Sequence, residues 1–92
     1  MAAPTDRVFV KPNVIFRALG PESVILNLDS GVYFGLDEIG TRIWQLLEQQ
    51  DVRGVCDALR ADYDVTPERV EADVMALIDR LAAKGLVECR AS

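Results

Sequence analysis

Histidine is absent from this 92-residue chain, and cysteine occurs only twice. Cys56 and Cys89 lie far apart, in no Cys-x-x-Cys pattern, and without histidine companions they form neither a zinc ligand set nor a thiol–imidazole pair. They read as structural thiols, since unpaired cysteine is commonly a core residue. A glycine-rich phosphate loop and a serine-centred elbow are also missing, so an enzyme reading has no materials; no catalytic residue, metal or cofactor is expected. No stretch approaches the roughly 20 apolar residues needed to span a bilayer. The opening residues, MAAPTDRVFVKPN, lack the basic region and apolar core of a secretory signal, which makes the expected location cytoplasmic. Positive charge is scarce too: 10 Lys and Arg against 15 Asp and Glu leave a net charge of −5. Such a surface disfavours phosphate backbones and anionic lipid, and a basic peptide suits it better.

Half of the residues are hydrophobic and 27% are charged, the composition of an ordinary folded domain. A chain of this length reads as one domain, 1–92, without room for a large cleft. Its most informative stretch is Val24 to Leu36, VILNLDSGVYFGL. Two runs of β-branched and aromatic residues flank Asp29-Ser30-Gly31, which predicts a β-hairpin closed by a three-residue loop. With that loop Leu28 faces Val32, Leu26 faces Phe34 and Val24 faces Leu36, collecting six apolar side chains on one side. Asn27 with Tyr33 and Ile25 with Gly35 take the other. The second strand carries no charge and no proline along Val32-Tyr33-Phe34-Gly35, although edge strands are normally guarded by Lys, Glu or Pro. This edge is expected to be open to pairing.

Before the hairpin, Met1 to about Arg7 reads as a weakly tethered start. Val14 to Leu19 reads as a strand, with Gly20-Pro21-Glu22 as the turn and Leu19 opposite Ser23. After the hairpin the period changes from two to 3.6. Asp37 caps a helix over about Glu38 to Gln49, with Ile39, Ile43, Trp44, Leu46 and Leu47 inward. Asp51 caps a short helix ending near Asp62. Thr66-Pro67-Glu68 starts a third helix running to about Lys84, closed by Gly85, whose core stripe is Val70, Val74, Leu77, Ile78 and Leu81. Arg69, Asp73 and Arg80 lie on one flank of that stripe, and Glu71, Met75 and Ala82 on the other. Leu86 to Cys89 reads as a short extended segment. Three strands followed by three helices make an α+β fold, a helix-turn-helix core with a sheet attached.

The run from Ile25 to Leu47 contains Leu-Asn-Leu-Asp-x-Gly, an aromatic pair, Gly-Leu-Asp-Glu-x-Gly and Arg-Ile-Trp-x-Leu-Leu. With Tyr63-Asp64-Val65 and the stretch from Glu71-Ala72-Asp73-Val74 to Gly85-Leu86, it resembles the pyrroloquinoline quinone biosynthesis protein D family over about residues 12–87. The resemblance implies a winged helix-turn-helix fold, with a three-stranded antiparallel sheet followed by three helices. It implies a non-catalytic peptide-recognition element that holds the leader of a ribosomally made precursor as an added strand along the third strand, beside the third helix. It also implies a partner enzyme that modifies the precursor: a radical S-adenosylmethionine protein, a leader protease or a cyclase. On that reading the backbone of Val32, Tyr33, Phe34 and Gly35 pairs with the leader. Asp73 meets a basic or hydrogen-bonding leader residue, Leu77 lines the floor, and Arg80 meets a leader carboxylate. Spacing alone leaves open which flank of the helix lines the groove, with Met75 as the alternative.

Duller readings stand beside these. Phe34, Tyr33 and Trp44 are also core candidates, Asp73 and Arg80 also read as solvated charges, and Asp37-Glu38 is explained by helix capping. A winged-helix DNA-binding module is the first competing function. The third helix, however, carries Arg69, Arg80 and Lys84 against Glu68, Glu71, Asp73 and Asp79, which is no recognition helix for nucleic acid. A structural homodimer, paired through the same open edge, is the second.

Overall fold

The computed structural model describes residues 6–91. Strand β1 (Asp6–Val10) is followed by β2 (Val14–Leu19), β3 (Glu22–Asn27) and β4 (Tyr33–Leu36), then by helices α1 (Glu38–Leu47), α2 (Val52–Asp62) and α3 (Pro67–Ala83), and last by β5 (Val87–Ala91). β2, β3 and β4 form an antiparallel sheet in that order, and β1 pairs with β5 in a separate two-stranded sheet. This is the expected α+β arrangement of three strands followed by three helices, with one unforeseen strand at its start. Of the residues expected to be weakly tethered, 1–5 lie outside the described ones, whereas Asp6 and Arg7 are paired with Ala91 and Arg90. A segment such as Arg7-Val8-Phe9-Val10 buries one valine and gains ladder bonds only when a distant strand meets it, so nothing local signals it.

The helices start where their caps sit. The side chains of Asp37, Asp51 and Thr66 accept the backbone N–H of Gly40, Gly54 and Arg69. At its far end α3 closes in a Schellman turn: Gly85 has φ 73, its N–H donates to the Ala82 carbonyl at 3.0 Å, and the Leu86 N–H donates to the Leu81 carbonyl at 3.0 Å. The core lies where the helices meet the inner face of the sheet. Val52, Val55, Val74, Ile78, Leu81 and Leu86 are sealed there together with Ile25. Trp44 is buried and stacks on Phe16 with centroids 6.2 Å apart. Cys56 and Cys89 are half-buried and form no disulfide. Burial and the nearby Glu71 and Asp57 push the Cys56 thiol up, Arg53 opposing them. Arg90 holds the exposed Glu88 carboxyl below the usual carboxylate range.

The central strand sits one residue away from the expected register. Leu26 pairs with Tyr33, Ile25 with Phe34 and Ser23 with Leu36. On the other side Leu19 pairs with Glu22 rather than Ser23, across a two-residue turn in which Gly20 has φ 67. β3 is therefore turned over relative to the sequence-based expectation: Ile25 is fully buried and Leu28 is 58% exposed. Two polar groups cause this. Asn27 and Val32 close a four-residue loop, in which the Asn27 side chain accepts the backbone N–H of Asp29 at 2.9 Å and of Ser30 at 3.2 Å. Ser23 can point inward because its hydroxyl meets the buried hydroxyl of Thr41 at 2.7 Å. An apolar count over the strand weighs neither effect. The faces of β2 and β4 are unchanged by the shift: Phe16, Phe34 and Leu36 still point to the core.

Candidate functional site

β4 has one neighbour, β3, and among the described residues no strand covers its other edge. Which of its backbone groups face outward follows from the ladder. The Asn27 N–H donates to the Val32 carbonyl at 2.9 Å, marking that pair as hydrogen-bonded. Antiparallel pairs alternate, so Phe34 and Leu36 also turn their N–H and C=O toward β3, while Tyr33 and Gly35 present theirs to the open edge. Of the expected backbone set Val32, Tyr33, Phe34 and Gly35, two residues thus aim at solvent and two at β3. The Tyr33 ring, 72% exposed, stands on the outer face of the sheet beside Leu26, which in turn pairs with Ile15 on β2.

A groove of about 420 Å³ runs between this edge and α3. Phe34, Gly35 and Leu36 form one wall, Asp73, Ala76, Leu77 and Arg80 the other, and Ile39, Gly40 and Ile43 of α1 lie between them. The structure therefore brings Phe34, Gly35, Asp73, Leu77 and Arg80 to one place; Val32 and the Tyr33 side chain are not part of the lining. The flank of α3 that faces the groove is that of Asp73 and Arg80. Met75 packs instead against the core from the other flank. Residues 73, 76, 77 and 80 follow the i, i+3, i+4, i+7 spacing of a single helix face.

The charges differ in their commitments. The Arg69 Nε donates to the Asp73 carboxylate at 3.2 Å, with both side chains largely exposed, a pair worth only a few tenths of a kcal/mol. Asp73 is thus available to a stronger partner. Arg80 has no carboxylate partner among the described residues. Leu77 is buried and closes the floor, and Ala76 between the two charges is small enough to let a backbone approach the helix.

Two contributions escaped the sequence reading. Ile39, assigned there to the buried stripe of α1, is 49% exposed, because it sits in the first helical turn and overhangs the groove. A second, apolar hollow of about 90 Å³ opens beside it, lined by Ile39, Leu59, Tyr63, Val65 and Val70 and joined to the groove at Ile39, Ile43 and Asp73. Gly40 is explained as a close approach: a Cβ there would stand 3.2 Å from Leu36 Cδ2. At Gly35 an added Cβ would meet nothing within 4 Å. The signal for the helix wall is the helical spacing of Ala76 with Asp73, Leu77 and Arg80, which puts all four on one face.

No group of three or more His, Cys, Asp and Glu side chains is placed to hold a metal ion among the described residues, and no described helix is long and apolar enough to cross a membrane. The arrangement offers backbone donors and acceptors along a strip, an apolar floor, and the charges of Asp73 and Arg80 on α3, with Asp37, whose carboxylate caps α1, also on the lining.

Comparisons with known proteins follow this geometry. The family model of coenzyme PQQ synthesis protein D (PqqD) matches residues 22–87. A solved structure described as TbiB1 in complex with the TbiA(beta) leader peptide is 38% identical, with a TM-score of 0.84, covering 91% of this chain and 99% of that one. A second, lasso peptide synthetase B1 complexed with the leader peptide, shares the fold at 24% identity and a TM-score of 0.82, covering 89% of this chain and 98% of that one. A search of curated proteins returns no match.

Proposed function

The chain belongs to the PqqD family, and from that premise we propose that it is a non-catalytic binding protein that captures the leader segment of a ribosomally made precursor peptide and presents it to a modifying enzyme. The leader adds as a strand to the open edge of β4. The outward N–H and C=O groups of Tyr33 and Gly35 supply four hydrogen-bonding positions that any extended peptide can use, and the groove selects among peptides. Side chains of the guest alternate, so every second one enters the groove over Phe34, Leu77 and Ala76. Asp73 takes a basic or hydrogen-bonding side chain and Arg80 a carboxylate. The rest of the precursor stays outside, accessible to a radical S-adenosylmethionine protein, a leader protease or a cyclase.

The observation that carries this reading is the coincidence of an uncovered strand edge with a groove walled by α3. The peptide-bound relative with 38% identity supports it. A second copy of the chain would use the same backbone groups, so self-pairing and peptide capture compete. Hydrogen exchange decides between them. With the TbiA(beta) leader, or the leader of a precursor encoded beside this chain, the amides of Tyr33 and Gly35 gain protection while that of Phe34, already bonded to β3, changes little. Absence of binding by both leaders, or binding that leaves those two amides unprotected, removes strand addition at β4. Protection that rises with protein concentration alone identifies the homodimer.

A further inference from the structure

The two walls of the groove are some forty residues apart in sequence; both pack on α1, but among the described residues no hydrogen bond or ion pair crosses between them, so polar ties at the groove ends bear on their separation. At one end β4 runs through Leu36 into the capped start of α1. At the other end the hydrogen-bonded link among the described residues is a single side chain, beside the apolar packing of Ile25, Phe34, Leu81 and Leu86. The Asn27 Nδ2 donates to the Gly85 carbonyl at 3.1 Å, while the Asn27 Oδ1 accepts the N–H groups of Asp29 and Ser30. The backbone of Asn27 also closes the hairpin, donating to Val32 and accepting from Gly31 at 2.8 Å. Gly85 is held by the Schellman bonds to the last turn of α3. One amide therefore joins the root of β4 to the end of the helix that carries Arg80 and Leu77.

We infer that Asn27 is a positioning residue for peptide capture, its side-chain amide setting the gap between the β4 edge and α3. This rests on the leader-capture reading above. Among side chains of this reach, asparagine alone both accepts from the loop and donates to Gly85. An aspartate keeps the acceptor half and reverses the other, placing a carboxylate oxygen against a carbonyl oxygen; once protonated it can donate again. Asn27→Asp is thus a pin that pH can reset. The neighbouring charged groups, Asp29 on the same loop, held by the Asn13 amide at 3.1 Å, and Lys84 beside Gly85, are common to both proteins, so the wild-type profile removes their share.

The test measures anisotropy of a fluorescein-labelled TbiA(beta) leader from pH 7.5 down to 4, at a temperature where circular dichroism shows each protein folded. Asn27→Asp is expected to bind about tenfold more weakly than wild type at pH 7.5, the ratio closing toward one as the introduced carboxyl takes up its proton. Asn27→Ser, which keeps a loop acceptor but cannot reach Gly85, is expected to stay about tenfold weaker throughout, and it decides the matter should the aspartate variant not fold. Either variant binding as wild type at pH 7.5, or an aspartate ratio that does not close on acidification, overturns the pin while leaving leader capture intact. A wild type that binds no leader overturns capture, and the pin with it.

Discussion

Proline at position 33 separates pairing with a guest from pairing within the fold. The Tyr33 N–H points to the open edge, so Tyr33→Pro removes a donor that no described residue uses; proline is tolerated on edge strands for that reason. The Tyr33 ring is 72% exposed, so little packing is lost with it. Stability should change by about 1 kcal/mol or less. Leader binding should suffer more, since one guest carbonyl is left without its donor inside a covered strip. The expected loss is about 1–3 kcal/mol, or about 5- to 150-fold in Kd. Phe34→Pro is the mirror experiment. Its N–H faces β3 and its ring packs against the core, so stability should fall by about 3 kcal/mol or more. Tyr33→Ala keeps the donor and isolates the contribution of the ring. Thermal melts followed by circular dichroism and anisotropy titrations with labelled leader give both readouts for all three variants. A folded Tyr33→Pro that binds leader with wild-type affinity refutes the assignment of the outward groups, and with it strand addition at this edge.

Arg80→Glu should leave the melting curve within about 0.5 kcal/mol, since Arg80 is exposed and has no carboxylate partner among the described residues, yet weaken binding of a leader that carries a carboxylate at that end of the groove; added salt should shrink an electrostatic difference. Ser23→Ala and Thr41→Val each leave a buried hydroxyl or its partner unsatisfied and should cost about 1–3 kcal/mol; the double variant should cost less than the sum, and additivity in denaturant titrations would dismiss the bond. The folded-state pKa of Cys56 lies above its unfolded value, so its contribution to stability is complete at neutral pH and declines as pH rises through the thiol range. In a Cys89→Ser background the remaining thiol should react with an aromatic disulfide more slowly at pH 8 than free cysteine does, and equal rates would contradict its burial.

Much of the scaffold was legible because its signals are local. The Asp37, Asp51 and Thr66 caps, Pro67 at the first position of α3 and Gly85 beyond its end each act within a few residues, and the observed helix ends follow them closely. The site was partly legible for the same reason. An uncharged edge from Val32 to Gly35 and a helix face carrying Asp73, Leu77 and Arg80 are both visible as patterns, although which flank of α3 meets the strand is not. The register of β3 was misread because hydrophobic alternation points Val24, Leu26 and Leu28 inward. Two polar arrangements outweigh it: the long-range contact of Ser23 with Thr41, and Asn27, which bonds both its own loop and distant Gly85. β1 escaped notice because its partner lies at the opposite end of the described chain.

The sequence by itself determined the types of the elements from β2 to α3, the caps, the core stripe of α3 and the unguarded strand, since each depends on residues that are neighbours along the chain. Tertiary structure alone decided that β1 joins β5, that Ile25 rather than Leu26 is buried, that Ile39 overhangs the groove, and that Asp73 and Arg80 face Phe34 across it. Each of those outcomes turns on contacts between residues distant in sequence, whose free energies are felt only once the chain has closed on itself.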